Sequence, residues 1–126
     1  MSKQIINTNN APAPIGPYNQ SVKAGNLLFI SGQIALVPAS GELLMGSVEE
    51  ETHQVMKNLQ AILTEAGSDF SAIAKTTIFL TDMSLFAQVN EVYGSYFSGD
   101  FPARETVAVK GLPKGVNVEI SMIASL

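Results

Sequence analysis

The chain has 126 residues, of which 46% are hydrophobic and only 14% are charged, and its formal net charge is −4. This length fits one domain, spanning residues 1–126, with no room for a second. The acidic balance and the lack of a basic run disfavour nucleic-acid binding, and no apolar stretch is long enough to span a membrane. Because charged residues usually make up about 25% of a soluble domain, we expect other copies of the chain to cover part of the surface in a homo-oligomer.

Cysteine is absent and histidine occurs once, as His53. The chain therefore has no disulfide, no thiolate nucleophile and no Cys-ligated or His-based metal site. His53 falls on the polar stripe of a predicted helix, where we expect it to be solvated. The sequence also lacks nucleotide-binding glycine motifs, so we expect no cofactor and no metal. The first seven residues lack the apolar core of a signal peptide, which predicts a cytoplasmic location.

The N-terminal part predicts a short edge strand at residues 3–7, followed by a loop at residues 9–17. Proline and glycine fix the path of this loop, so it can present Tyr18 in one place. Tyr18 either stacks on a ligand or only begins the next strand. Both interpretations stay open at this point.

A β-hairpin is predicted next, from residues 19–23 and 27–34 around a turn at residues 24–26. The second strand is apolar on both faces, which is typical of a fully buried strand. Gly32 lies inside it, in the sequence Ser31-Gly32-Gln33. A glycine there indicates a bulge or a close approach of the backbone to a ligand or neighbour, or a plain packing contact.

Two amphipathic helices are predicted, separated by a strand at residues 73–81. Ser47 and Glu50 form a capping box for the first helix, and Gly67 ends it. Glu49, Glu50 and Glu51 lie in the first turn, where the helix dipole favours negative charge, so their clustering does not require a metal. Asp82 or Ser84 caps the second helix, which carries an aromatic stripe predicted to lie in the core.

The C-terminal part predicts two strands, at residues 104–110 and 116–124, around a glycine- and proline-containing turn. Arg104 begins the first strand, and Glu119 has the opposite parity to the apolar residues of the second. A guanidinium and a carboxylate on neighbouring strands could bind a small acid and move a proton. Alternatively, they form an exposed ion pair on the wet side of a sheet, worth about 0.2–1 kcal/mol.

The predicted order of elements is β-β-α-β-α-β-β, with the extra edge strand at the N-terminus. This order predicts an α+β fold in which two helices cover one face of a mixed β-sheet. Because the strand at residues 27–34 is apolar on both faces, we expect the uncovered face to pack against other subunits.

Several sequence blocks are spread over nearly the whole chain: PIGPY at 14–18, SGQI at 31–34, KTTIFLTDM at 75–83, VNEVY at 89–93, FPAR at 101–104, and LPKG at 112–115 with VEI at 118–120. Together they resemble the Rid (YjgF) family of enamine/imine deaminases. The resemblance implies a chorismate-mutase-like fold, a homotrimer whose sheets form a central barrel, and sites in the clefts between subunits. It also implies that another strand separates residues 104–110 from residues 116–124.

The family resemblance implies hydrolysis of reactive 2-imino acids to 2-oxo acids and ammonia. These imino acids form from 2-aminoacrylate and related enamines that pyridoxal-phosphate dehydratases release. Arg104 would hold the substrate carboxylate, and Glu119 would position water and shuttle protons. The walls of the site would be completed by Tyr18 from the neighbouring subunit and by Ser31, Gly32, Asn90 and Thr106.

One departure from the family pattern is Thr106, because relatives often have Cys at this position. Either the thiol is dispensable for deamination, or this protein binds ligands without catalysis. The alternative function is therefore a regulator that binds 2-oxo acids or amino acids in the same cleft between subunits. A third activity, a ribonuclease-like inhibition of translation, fits poorly with an acidic chain that lacks a pair of histidines.

Overall fold

A computed structural model describes residues 2–126, which form a six-stranded sheet and two α-helices. The elements in chain order are β1 (Gln4–Ile6), β2 (Ser21–Ala24), β3 (Leu27–Gln33), α1 (Val48–Glu65), β4 (Ile73–Leu80), α2 (Phe86–Gly94), β5 (Ala103–Ala108) and β6 (Val118–Ser125). This order is the predicted one, including the N-terminal edge strand.

The strands lie in the order β1-β2-β3-β6-β4-β5. β4 and β5 are parallel and joined through α2, whereas the other neighbours are antiparallel, so the predicted mixed sheet is confirmed. β4 lies between β5 and β6, so the direct pairing of residues 104–110 with 116–124 is wrong, and the intervening strand that the family resemblance implies is confirmed. The physical reason is burial: alternate residues of β6 are buried, as a central strand requires, whereas β5 is largely exposed and forms an edge.

The helix ends follow the predicted capping residues. Ser47 accepts a hydrogen bond from the Glu50 backbone N–H at 3.1 Å and begins α1. Gly67 follows α1 with a φ of +75°, which a residue with a side chain would rarely adopt. Asp82, one of the two predicted caps, accepts from the Ser84 N–H at 2.8 Å and begins a short 3₁₀ turn that leads into α2.

Both helices pack on the same face of the sheet and close one hydrophobic core. Its largest side chains include Leu28 from β3, Met56 and Leu59 from α1, Leu80 from β4 and Met122 from β6. Burying each such side chain contributes about 1.5–3 kcal/mol. The core therefore fixes which face of each strand points toward the helices.

The opposite face of the sheet exposes apolar side chains. Phe29 is 43% exposed, and the same is true to a similar extent of Ile5, Leu27 and Val107. Such a surface is typical of a face that another chain covers. Among residues 2–126, the structure contains no helix that is both long and apolar enough to cross a bilayer.

Candidate active site

Glu119 lies on the sheet face opposite to the helices. The alternation of β6 buries Val118 and Ile120 in the core and turns Glu119 the other way. On the adjacent β3, the register shifts between Ile30 and Gln33, which is the bulge that Gly32 predicted. A Cβ atom built on Gly32 would lie 2.8 Å from the Glu119 Cδ, so this carboxyl position requires a residue without a side chain. The predicted close approach of the Gly32 backbone to a neighbour is confirmed.

A cavity of about 350 Å³ opens beside Glu119. It is lined by the predicted site residues Tyr18, Ser31, Gly32 and Glu119, and by the apolar residues Pro12, Ala13, Ile15, Ile34, Leu36 and Pro113. The family resemblance implies that the neighbouring subunit supplies Tyr18, whereas here Tyr18 and Glu119 of one chain line the same cavity. The cavity thus combines one acid with a mostly apolar wall.

The Glu119 carboxyl lacks an opposite charge. Among residues 2–126, no cationic group forms an ion pair with it. Burial raises the pKa of the Glu119 carboxyl above its ordinary value of 4.5. A raised pKa makes the carboxyl a stronger proton acceptor than an ordinary carboxylate, as a general base requires.

Tyr18 is held by the proline-rich loop before it. Its hydroxyl accepts a hydrogen bond from the Ile15 N–H at 3.3 Å, and its own N–H donates to the Gly16 carbonyl at 2.8 Å. The side chain of the buried Gln20 ties the loop to β2, since its amide donates to the carbonyls of Ala11 and Pro12 at 3.2 and 2.8 Å. The ring of Tyr18 is 44% exposed at the cavity, so it is a fixed wall that a ligand can contact.

Arg104 lies on β5 and packs against α2. Its Nη1 donates to the Asn90 Oδ1 at 2.7 Å. The guanidinium carbon lies 5.6 Å from the ring centroid of Phe86 and 5.2 Å from that of Tyr93. Cation–π contacts of this kind hold a guanidinium in place without neutralising it. Within residues 2–126, Arg104 has no carboxylate partner, so its remaining N–H groups can bind an external anion.

Arg104 and Glu119 of one chain point to opposite faces of the sheet. Arg104 pairs with Thr76 of β4, which is fully buried under α2 and pairs in turn with Met122 of the core. Glu119 pairs with Phe79, which has the opposite parity on β4. The structure therefore brings Tyr18, Ser31, Gly32 and Glu119 into one group and Arg104 and Asn90 into another, and it does not bring the two groups together within a chain.

Thr106 belongs to the Arg104 side of the sheet. It lies two residues further along β5 and pairs with the core residue Ile78. Its Oγ1 is buried and makes no hydrogen bond with any group in residues 2–126. A buried hydroxyl without a hydrogen-bond partner lowers the free energy of unfolding by about 1–3 kcal/mol. The Thr106 hydroxyl therefore does not stabilise the fold of a single chain.

Glu51 and Asn58 of α1 were not singled out from the sequence, although both are buried and contact the segments that carry the cavity. The Glu51 carboxylate accepts hydrogen bonds from residues just before Glu119. The Asn58 amide donates to the Ile34 and Leu36 carbonyls. The signal was present, because Glu51, Val55, Asn58 and Ile62 recur at helical spacing on the buried face of α1.

The remaining titratable groups of residues 2–126 include one histidine and no cluster that could hold a metal ion. His53 is exposed on α1, as predicted, and its Nδ1 lies 2.8 Å from the Tyr96 hydroxyl. Within the part of the chain that the structure describes, no three His, Asp or Glu residues are grouped so that they could hold a metal ion.

Comparisons with known proteins agree with this fold. The family model described as Endoribonuclease L-PSP, the YjgF/Rid family, matches residues 8–126. The 2-iminobutanoate/2-iminopropanoate deaminase of Mus musculus is 49% identical, over 97% of this chain and 90% of its own length. A RutC family protein of Pyrococcus horikoshii is 50% identical, over 97% of each chain. The crystal structure of YyfA, a Rid family protein of unknown function from Yersinia pestis, has 47% identity and a TM-score of 0.96, covering 99% of this chain and 100% of its own.

The chain is a small α+β protein with a mixed sheet and two helices on one face. Its cavity contains one acid, Glu119, and its edge strand carries Arg104. The fold and the comparisons together define a known class of protein. The chain is a member of the YjgF/Rid family.

Proposed function

We propose that this protein is a 2-iminobutanoate/2-iminopropanoate deaminase, which hydrolyses 2-imino acids derived from 2-aminoacrylate and related enamines to 2-oxo acids and ammonia. The support from relatives is the mouse protein of that name, at 49% identity. The observation that carries the proposal is the separation of two unpaired charges. Arg104 suits a carboxylate, and Glu119 suits proton transfer, yet they lie on opposite faces of one sheet.

The complete site is formed between chains. Arg104 and Asn90 of one subunit face the cavity of Glu119 and Gly32 on its neighbour, so that the two unpaired charges share one substrate. The exposed apolar side chains of the open sheet face, which include Phe29 and Val107, support this assembly because covering them stabilises the oligomer. We assign the assembly as a homotrimer in which the open faces form a central barrel, and we place the enzyme in the cytoplasm.

The reaction uses the residues as follows. The Arg104 guanidinium binds the substrate carboxylate through two N–H groups and fixes the C=N carbon near Glu119. Water attacks this carbon of the protonated imine and forms a C–O bond, while the π electrons of the C=N bond move to nitrogen and Glu119 takes a proton from the water. Glu119 then returns the proton to the amino nitrogen, the C–N bond breaks, and ammonia leaves as Glu119 takes the hydroxyl proton to give the 2-oxo acid. Glu119 finally releases this proton to solvent or to the departing ammonia. General acid–base catalysis of this kind contributes about 10²- to 10⁴-fold.

A non-catalytic regulator that binds 2-oxo acids or amino acids remains the second candidate. It is favoured by the observation that Arg104 and Asn90 can hold a carboxylate without any contribution from Glu119. By contrast, the endoribonuclease activity in the description of the family model has little support here. The sequence contains a single histidine, His53, and that residue is exposed outside the cavity.

The experiment that tests the proposal is complementation between two inactive variants. Arg104→Ala and Glu119→Gln are prepared separately, then unfolded and refolded together in equal amounts. A threonine or serine dehydratase supplies the imine, and 2-oxo acid release is followed with and without each preparation. If a site takes Arg104 from one chain and Glu119 from the next, random mixing gives about a quarter of the sites both native residues.

The mixed sample should therefore recover roughly a quarter of wild-type activity, while each variant refolded alone stays inactive. Recovery close to zero, with mixed oligomers present by mass spectrometry, would contradict a site shared between chains. A wild-type protein that does not accelerate 2-oxo acid release but binds 2-oxo acids would favour the regulator.

A further inference from the structure

The Glu51 side chain is fully buried, yet it lies in the first turn of α1, where acidic residues are usually solvated. Its Oε2 accepts hydrogen bonds from the backbone N–H groups of Asn117 and Val118 at 2.7 and 3.0 Å. Its Oε1 accepts from the Asn117 side-chain amide at 2.9 Å. The carboxylate thus binds the two residues that immediately precede Glu119.

Before β6 begins, the same segment is also restrained by Val116, which is fully buried in a small cluster with Ile34 and Leu36. Residues 113–115 form a short 3₁₀ turn in which Lys114 has a φ of +57°, and Pro113 at its start lines the cavity. The Asn117 carbonyl accepts from the Thr81 N–H at 3.1 Å, so Asn117 is held on one side by Thr81, just after β4, and on the other by Glu51. Without Glu51, the backbone N–H groups of Asn117 and Val118 would lose this buried acceptor, which would loosen the start of β6.

We propose that Glu51 is a positioning residue for the reaction: by fixing Asn117 and Val118, its carboxylate sets where Glu119 leaves the sheet and keeps the Glu119 carboxyl above Gly32. This inference rests on the proposed role of Glu119. The position is narrow, since the Glu119 Cγ already lies 3.0 Å from where a Cβ on Gly32 would be. A small displacement of the start of β6 therefore moves the acid relative to the cavity.

Two substitutions distinguish the length of the Glu51 side chain from its charge. Glu51→Asp keeps the carboxylate but shortens the side chain by one methylene, so it can no longer reach both backbone N–H groups. Glu51→Gln keeps the length, and all three hydrogen bonds can form once the Asn117 amide turns over to accept from the new amide. Glu50→Asp is the matched control, because Glu50 lies in the same turn of α1 but is exposed.

We expect Glu51→Asp to lower kcat about 10-fold or more while KM changes less than about 2-fold, because a misplaced group lowers the rate of the chemical step. Glu51→Gln should keep kcat within about 3-fold of wild type, and Glu50→Asp should match wild type. A second readout is independent of turnover: the ¹³C NMR titration midpoint of the Glu119 carboxyl should differ between Glu51→Asp and wild type, because the surroundings of this carboxyl change.

A folded Glu51→Asp variant with wild-type kcat and an unchanged Glu119 titration would overturn the inference. If the wild type has no deaminase activity, the proposed function fails, but the NMR titration still decides whether Glu51 positions Glu119. If Glu51→Asp does not fold at 25 °C, Asn117→Ala removes only the side-chain hydrogen bond to Glu51, and the same titration applies. A changed Glu119 midpoint in that variant supports the inference, and an unchanged one overturns it.

Discussion

The surroundings of Glu119 and Arg104 differ in polarity and in the charge that each leaves unpaired. Glu119 lies in a largely apolar cavity, next to a glycine and without an ion-pairing cation among residues 2–126, and burial raises its pKa. Arg104 is held on the other face of the sheet by an amide and two aromatic rings, without an anion among residues 2–126. The surroundings of Glu119 suit proton transfer, and those of Arg104 suit binding of a negative charge. Under the proposed function, they are two halves of one site that meet when chains associate.

The largest expected effect comes from removing the anion-binding half. Arg104→Ala should lower kcat/KM by about 10²-fold or more, because two charge-assisted hydrogen bonds to the substrate carboxylate are worth about 1.5–3 kcal/mol each. Arg104→Lys should recover only part of this loss, since an ammonium cannot donate in a planar pair or stack as well on Phe86 and Tyr93. The coupled dehydratase assay measures both variants.

The control for Arg104 is Lys57→Ala, which removes a positive charge from an exposed position on α1. It should leave turnover unchanged. Activity of Arg104→Ala within about threefold of wild type would show that the guanidinium does not bind the substrate carboxylate and would remove the basis of the comparison.

The proton-transfer half is tested by Glu119→Gln, which keeps the shape of the side chain. We expect kcat to fall by about 10²-fold while a 2-oxo acid product still binds, because Arg104 is intact. Isothermal titration calorimetry measures the binding and the coupled assay measures turnover. Equal loss of binding and hydrolysis would assign Glu119 to ligand binding and favour the regulator.

Gly32→Ala tests whether the place of the Glu119 carboxyl matters. The new methyl group would lie 2.8 Å from the Glu119 Cδ, so the flexible side chain must move away from β3. We expect kcat to fall by about 10-fold, with a thermal unfolding midpoint close to wild type, because the displaced atoms are at the end of a side chain. The control is Gly111→Ala, because Gly111 has no heavy atom near its Cβ position and no positive φ. Gly41→Ala is unsuitable, since Gly41 has a φ of +72°. Wild-type kcat in Gly32→Ala would separate the bulge from catalysis.

The raised pKa of Glu119 predicts how stability depends on pH. The folded chain keeps the Glu119 proton above 4.5, the ordinary value at which the unfolded chain loses it. The folded state therefore binds more protons in the window between 4.5 and the raised pKa, and stability falls as pH rises through this window. In an Arg104→Ala background, which has no guanidinium to offset burial, adding Glu119→Gln should remove this fall. Urea unfolding at several pH values across this window measures the free energy of unfolding. The same pH dependence in Arg104→Ala and in the double variant would contradict the effect of burial.

Local parts of the fold could be predicted from the sequence, because they depend on neighbours along the chain. The cap at Ser47, the bulge at Gly32 and the outward parity of Glu119 each follow from spacing or from the residue type. The order of the strands could not be predicted this way. Whether β6 pairs with β5 or β4 depends on which strand buries more surface, and this is decided by contacts between residues far apart in the chain.

The candidate site shows the same division. The residue types of Arg104 and Glu119 indicated a site that binds an anion and transfers a proton. Their placement on opposite faces of the sheet depends on β4 lying between their strands. Glu51 escaped notice for a related reason, because an acidic residue in a first helical turn is usually explained by the helix dipole. Only the packing of α1 against the start of β6 shows that the Glu51 carboxylate is buried.

The smallest effect is expected at Thr106, and it sharpens the description of the Arg104 half. Its Oγ1 is buried and makes no hydrogen bond within residues 2–126, so Thr106→Val removes a polar atom without leaving a partner unpaired. The thermal unfolding midpoint should stay equal or rise by a few degrees, because about 1 kcal/mol of burial cost is relieved. If the hydroxyl has no part in deamination, kcat stays within about threefold of wild type, and Thr106→Cys does the same. A large loss of kcat in Thr106→Val that Thr106→Ser restores would instead show that this hydroxyl contacts the substrate beside Arg104. Such a contact would explain why a polar atom without a partner inside the chain lies on the edge strand.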